Sequence, residues 1–386
     1  LITAVIAATS LRAHYRYFLR DDRVLLTGHS HQAWPDCARD AMLEAFDDAA
    51  LHVDDKWEWA FAAADAVREA IAVRLGAEGH RVALAPNTHE LVARFLSALP
   101  WARRPRVVTT TGEFHTLHRQ LRRLAEERVE VVFVPAQPTA TLAERLLAAT
   151  DDGTAAVLAS TVLFETSARV PHLDALTAEA RARGAEVLLD AYHSFNVAPF
   201  DARAVPGAFV VAGGYKYAQW GEGVCFMIVP EDCTLRPVYT GWFADFAHLS
   251  DRRTSGPVGY GSRLADRFAG STYDPVSHYR ARAVARFFDA QGLDVATLRA
   301  ISLRQTERIF EALEGFDVVT PRAPEERAGF VAVRVAEAPA VVAALRARKV
   351  FVDARGDLVR LGPAPYLTDD EIARGTEAFV RVARRV

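Results

Sequence analysis

Several absences narrow what this chain can be. It has only three cysteines, at 37, 225 and 233. Their number is odd and their spacing is not that of a zinc site, so neither a disulfide framework nor a Cys-ligated metal is expected. They fit a reducing compartment, the cytoplasm. No G-x-G-x-x-G or Walker-type glycine loop occurs, which leaves nucleotide binding with little support. No apolar run reaches the ~20 residues of a membrane helix. Positive charge is not in excess: 46 Lys and Arg face 49 Asp and Glu, a formal net charge of -3. That argues against a nucleic-acid partner. There is no internal repeat, low-complexity segment or Pro/Gly-rich linker. The opening stretch LITAVIAATS is apolar but short and has no basic leader. It is expected to be part of the fold or an edge of the chain rather than a signal peptide.

What is present is an ordinary globular composition, 51% apolar and 25% charged over 386 residues, with enough chain for two or three domains and an ample core. Helical periodicity over 57–77, 116–127, 140–149 and 173–183, and over ELVARFLSAL, alternates with short apolar strands: RVALAPN, RVVTTT, VEVVFVPA, AAVLAST, AEVLLDA, FVVAGG and VCFMIVP. This alternation predicts an α/β fold, a doubly wound, mostly parallel sheet. From about 290 the pattern changes. A helix over LRAISLRQTERIFEALEGF, three short strands (GFVAVRV, KVFVDAR, DLVRLGP) and a closing helix suggest a small α+β domain. The expected division is 1–45 packing with the small domain, 46–285 as the large domain and 286–386 as the small one.

In such sheets ligands bind beyond the carboxyl ends of the strands. Reading those ends in order gives Asn87-Thr88-His89, Gly112-Glu113-Phe114-His115, Ser160-Thr161, Asp190-Ala191-Tyr192-His193 and Gly213-Gly214-Tyr215-Lys216. Lys216 stands in the apolar passage GGYKYAQWGEG. A surface lysine is the commoner kind, but one desolvated at a strand end has a lowered pKa and can act as a nucleophile that forms a Schiff base. Asp190 is either a turn or cap residue or a carboxylate able to pair with a pyridinium nitrogen. Phe114 is either core or a plane on which a cofactor ring stacks. Asn87 and Thr88 open a helix whose N-terminus suits a phosphate.

The motifs DAYHS and GGYKY, then YTGWFADF, FAGSTYDP and DLVRLGPAPYLT, resemble those of the kynureninases. These are class V members of the fold-type I pyridoxal-phosphate (PLP) enzymes. The resemblance runs from LLTGHSH, near residue 25, to the last helix. It implies a fold-type I architecture with a seven-stranded sheet and a PLP cofactor bonded to Lys216. It further implies that Asp190 pairs with the ring nitrogen, His193 lies on the phenolate side and Phe114 stacks on the ring. Thr88, Ser160 and Tyr215 would touch the phosphate or cofactor edge. Ser271 and Thr272 would reach the phosphate from the other subunit of a homodimer. Trp242 would stand by the phosphate or substrate, and Arg360 would grip the substrate α-carboxylate.

The chain also departs from that pattern. Gly28-His29-Ser30-His31 replaces Gly-Asn-Ser, Leu117 replaces an acid, and STYDP offers no clear counterpart for the amide that faces kynurenine's aryl group. Imidazoles at His29, His31, His89 and His115 are therefore expected to contact a different substrate. Their spacing does not suit a metal. The resemblance implies kynureninase-like hydrolytic Cβ–Cγ cleavage of an L-amino acid, with an aminotransferase or a β-eliminating lyase on another substrate as the alternative. A cysteine desulfurase is disfavoured because no cysteine follows residue 233. A non-catalytic scaffold would have no use for the acid, amine and aromatic together.

Overall fold

The computed structural model describes residues 8–20, 22–252 and 255–385; most of the opening apolar stretch, residues 1–7, lies outside them. In chain order the elements are α1 (Ala8–Arg12), β1 (Val24–Leu25), α2 (Asp36–His52), α3 (Lys56–Leu75), β2 (Val82–Ala85), α4 (Thr88–Ser97), β3 (Arg106–Thr110), α5 (His115–Leu124), β4 (Glu130–Val134), α6 (Leu142–Ala148), β5 (Thr154–Ser160), α7 (Leu173–Ala182), β6 (Glu186–Asp190), β7 (Ala208–Gly213), β8 (Cys225–Ile228), α8 (Val276–Ala290), α9 (Val295–Ala312), β9 (Val331–Arg334), α10 (Ala338–Arg346), β10 (Val350–Phe351), β11 (Asp353–Arg355), β12 (Leu358–Leu361) and α11 (Asp369–Ala383).

Local chemistry explains many of these limits. Helix α3 stops where Gly76 takes a left-handed φ of 65° and turns its N–H back to Ala72 O, a conformation that costs glycine little. Helix α4 starts at Asn87, whose side chain accepts the Glu90 N–H at 2.9 Å. Helix α11 opens with a Thr368/Glu371 capping box, which satisfies two otherwise orphaned donors.

Seven strands form one sheet in the order β2-β8-β7-β6-β5-β3-β4. Only β8 runs against its neighbours. Strand β2 therefore points the same way as β7, and its carboxyl end shares an edge with the parallel strands. Strand β5 is buried at every residue, as a central strand covered on both faces should be. Apolar side chains fill a core on each face. The small domain has its own core and a three-stranded antiparallel sheet, β11-β12-β9. Tyr15, Val24, Leu26 and Ala33 join that core, and β1 pairs with β10.

Against the sequence reading, the structure divides one expected strand and adds elements. KVFVDAR forms two strands because its first part pairs with β1 and its second with β12. Helices α2 and α8 add to the pattern read from the sequence. They pack on each other and run across positions 45 and 285, where the domain boundaries were expected. Their buried side chains pack within the large domain, Ala38, Val284 and Phe288 in its main core and Ala41, Ala45 and Tyr279 in a cluster beside α3. Among its described residues, the long passage from Pro230 to Pro275 carries two 3-10 segments, Trp242–His248 and Leu264–Phe268.

No helix among the described residues is long and apolar enough to cross a membrane. Cys37, Cys225 and Cys233 are free thiols.

Trp220 fastens the segment that follows β7. It is 1% exposed and meets Phe195 edge-on at 5.5 Å. Its carbonyl accepts Arg280 Nε at 2.5 Å. Truncating a buried aromatic of this size costs about 3–5 kcal/mol. Trp220→Ala is expected to lose stability on that scale in urea unfolding; a loss under ~1 kcal/mol would contradict the packing.

Candidate active site

The carboxyl ends of β3, β5, β6 and β7 meet at one edge of the sheet. Register sets Ser160 beside Asp190 and Asp190 beside Val211. Just past β7 the chain turns at Gly213 and Gly214 and delivers Lys216. A Cβ on Gly213 would lie 2.2 Å from Tyr192 Oη, and one on Gly214 would lie 2.4 Å from Trp220 Cε3. Close approach to these two side chains is what requires the glycine pair.

Lys216 is 5% exposed. Its Nζ lies 2.7 Å from His193 Nε2 and 4.5 Å from the centre of the Tyr192 ring. Burial disfavours its charge, Asp190 opposes that effect, and Arg360 and Arg355 add to it; the amine's pKa is pushed down to about 7. Asp190 is raised, chiefly by burial, against the Tyr192 N–H it accepts at 2.8 Å and against Lys216. His193 falls well below the usual imidazole value through burial and the nearby Lys216 and Arg360, so it is neutral. The site thus holds an amine that can be neutral near pH 7, a neutral imidazole and a buried acid.

These groups line a cavity of about 240 Å³ with Asn87, Thr88, Phe114, Ser160 and Tyr215. The structure therefore brings together eight of the residues singled out from the sequence. Thr116, Phe164, Tyr192 and Cys225 also line it. Tyr192 was within reach of the sequence reading as part of the DAYHS strand end. Nothing in the sequence marks Phe164, which meets Phe114 edge-on at 5.4 Å.

Other candidates lie elsewhere. Trp242 is 40% exposed and packs on Phe243 and Phe246, outside this cavity. Ser271 and Thr272 line a neighbouring cavity of about 740 Å³, which meets the first at Pro86, Glu222 and Gly223. His31, His89 and His115 are exposed. His31 stands 6.0 Å from the Tyr215 ring, His89 pairs with Gln120, and His115 leans on Phe114 and Phe164. His29 is fully buried and bonds Asp353 through Nε2 at 2.8 Å. Burial and Arg360 lower its pKa to about 4, against the pull of Asp353. None of these four imidazoles lines the Lys216 cavity: His89 and His115 stand exposed in the first turns of α4 and α5, His31 is exposed on its loop, and His29 is buried against Asp353.

Arg360 is 2% exposed and already engaged. Its Nε and Nη2 hold Asp353 at 2.8 and 2.6 Å, and its Nη1 donates to Phe164 O at 2.5 Å. Burial works against the charge of Asp353, but His29 and Arg360 hold its carboxyl well below the usual range. Glu113 is a second buried acid. Burial lifts it to about 7 although Ser160 and Thr110 both donate to it. Ser160 Oγ is thus committed to Glu113.

The profile of the kynureninase C-terminal domain family matches residues 297–379. The chain is 23% identical over 360 residues to the uncharacterized aminotransferase YcbU of Bacillus subtilis (strain 168), covering 90% of this chain and 93% of that protein. It is 28% identical over 333 residues to the kynureninase of Deinococcus radiodurans, covering 82% and 78%. Its structure resembles that of a mutant of C-DES with glycine covalently linked to the PLP cofactor, with a TM-score of 0.83 and 17% identity over 96% of this chain and 98% of that one. The fold is that of the fold-type I, class V aminotransferase-like PLP enzymes.

The chain has three lysines, at 56, 216 and 349. A sample labelled with 13C at lysine Cε should therefore show three signals, with the one missing in Lys216→Arg titrating near pH 7. The amine is protonated below that midpoint and neutral above it. A midpoint near the ordinary value of ~10.4 would mean the site is wetter than its geometry indicates.

Proposed function

We propose that this chain is a PLP-dependent enzyme acting on an L-amino acid, by amino transfer or β-elimination rather than by hydrolytic cleavage of kynurenine. The observation that carries the reading is the buried Lys216 amine held between His193 and Asp190 in one cavity. The residues fit the cofactor by their chemistry. Lys216 is an amine for its aldehyde, Asp190 an anion for its ring nitrogen, Phe114 a flat neighbour, and the first turn of α4 at Asn87 and Thr88 a cradle for its phosphate. When bound, PLP supplies a sink for the negative charge left at a substrate Cα.

The rest falls to the chain's own groups. Lys216 Nζ, neutral near pH 7, accepts a proton and returns it. His193 Nε2 stands 2.7 Å away and orients that amine. Phe114, Phe164 and Tyr192 keep water from the amine. Asp353 occupies the Nε/Nη2 side of Arg360 and Phe164 O takes one Nη1 hydrogen. Each Nη keeps one further N–H beyond these bonds, and these are the proposed grip on an α-carboxylate.

Two observations favour amino transfer or elimination. Of the two sequence relatives compared above, the one covering more of this chain is named an aminotransferase, and C-DES is named a cystine C–S lyase. The kynureninase C-terminal domain profile at residues 297–379 favours the hydrolytic reading instead. A homodimer is part of the proposal: Ser271 and Thr272 are exposed and line the adjoining cavity rather than that of Lys216.

Protein loaded with PLP and reduced with borohydride should carry the cofactor on Lys216 by peptide mass spectrometry, and Lys216→Ala should carry none. A panel of L-amino acids, with and without a keto-acid acceptor, then separates amino transfer from release of ammonia and a keto acid. Anthranilate released from L-kynurenine would reinstate the hydrolytic reading. No label on Lys216 would end the PLP reading. Arg360→Lys is expected to raise KM ~10-fold or more, because a point charge replaces a fork; an unchanged KM would move the carboxylate elsewhere.

A further inference from the structure

Behind the segment that carries Lys216, a cavity of about 20 Å³ lies in the seam between the domains. Its wall includes Gln32 from the N-terminal segment, Asn196 and Tyr217 from the large domain, and Ser302 from α9. All four are at most 7% exposed. Gln32 Oε1, Asn196 Oδ1, Tyr217 Oη and Ser302 Oγ are buried and have no hydrogen-bonding partner among the described residues. Four such atoms around one small space is far from the usual state of buried polar groups, nearly all of which are paired.

The donor and acceptor count identifies the ligand. Gln32 Nε2 donates to Gly28 O at 2.5 Å and Asn196 Nδ2 to Tyr217 O at 3.4 Å. Both amides are thereby oriented with their carbonyl oxygens to the cavity, where they can only accept. The two hydroxyls can donate. We propose that this cavity is a binding site for one ordered water molecule. Its two hydrogens go to Gln32 Oε1 and Asn196 Oδ1, and its two lone pairs take the hydrogens of Tyr217 and Ser302. The volume suffices, since one water needs about 10–15 Å³ of such space, and four polar partners lie at the upper end of what buried waters use. A metal cation fits poorly: four neutral oxygens, two bearing hydrogens, fall short of the ~6 oxygens a hard cation takes. The water joins the residue after Lys216 to α9 and to the Gln32 loop, so it fixes the lysine segment against the small domain.

A high-resolution crystal structure of the full chain should show one density peak within about 2.6–3.2 Å of all four oxygens. Crystals grown in rubidium should give no anomalous signal there. An empty cavity or a rubidium peak would overturn the assignment. In solution, Tyr217→Phe and Ser302→Ala should each lower the melting temperature, and the double variant should lose less than the sum because both act through the same water. Strictly additive losses would also count against it. If a variant fails to fold, the crystallographic result decides alone.

Discussion

The site depends on the burial of one amine. Lys216 sits where water cannot stabilise an ammonium ion, and the nearby arginines push its charge away further. The structure around it makes that burial tolerable. His193 shares a hydrogen bond with the amine through Nε2, and Asp190 supplies a counter-charge without a direct bond. Tyr192 and Trp220 fill the space that the glycine pair leaves open. A site that keeps an amine neutral near pH 7 is set for proton transfer and carbonyl chemistry in the same place.

A second set of charges joins the two domains. Arg360 on β12 reaches Phe164 O in the large domain and holds Asp353 on β11, while His29 bonds Asp353 from the N-terminal segment. Three stretches distant in sequence are thereby tied through one ion pair: His29 at its carboxylate, Phe164 at its guanidinium and the β11–β12 hairpin that supplies both. Removing one partner would leave a buried charge uncompensated, which usually costs more than the pair contributes. The cluster lets the small domain present an arginine at a defined orientation while its own core packs independently.

Much of this was legible in the sequence. Asp190, Lys216, Phe114 and Thr88 were found because strand ends in an open α/β sheet converge, and strands are readable as short apolar runs. The Asp353–Arg360 pair could also have been read: DARGDLVR folds back on Gly356 and Asp357, which brings those two positions opposite each other. The imidazoles could not be placed. Whether His29 enters a seam and His89 faces solvent depends on how a loop packs and on how α4 is turned against the sheet, and neither is recorded by periodicity. The path of α8 across the domain boundary was hidden for the same reason, since both its faces are covered by different neighbours. Glu113 stood in the census without a role because its raised pKa arises from burial, with a contribution from Asp190, and burial is not legible in the sequence.

The small number of lysines has a chemical consequence of its own. Of 46 basic residues other than histidine, only three are lysines, and the surface cations are mostly arginines. Guanidinium groups stay protonated far above neutral pH and do not condense with aldehydes as amines do. A surface rich in arginine therefore keeps its positive charge for ion pairing while presenting almost no competing amines. A reactive aldehyde that diffuses to this protein meets few places to be lost before it reaches the buried lysine that is neutral enough to capture it.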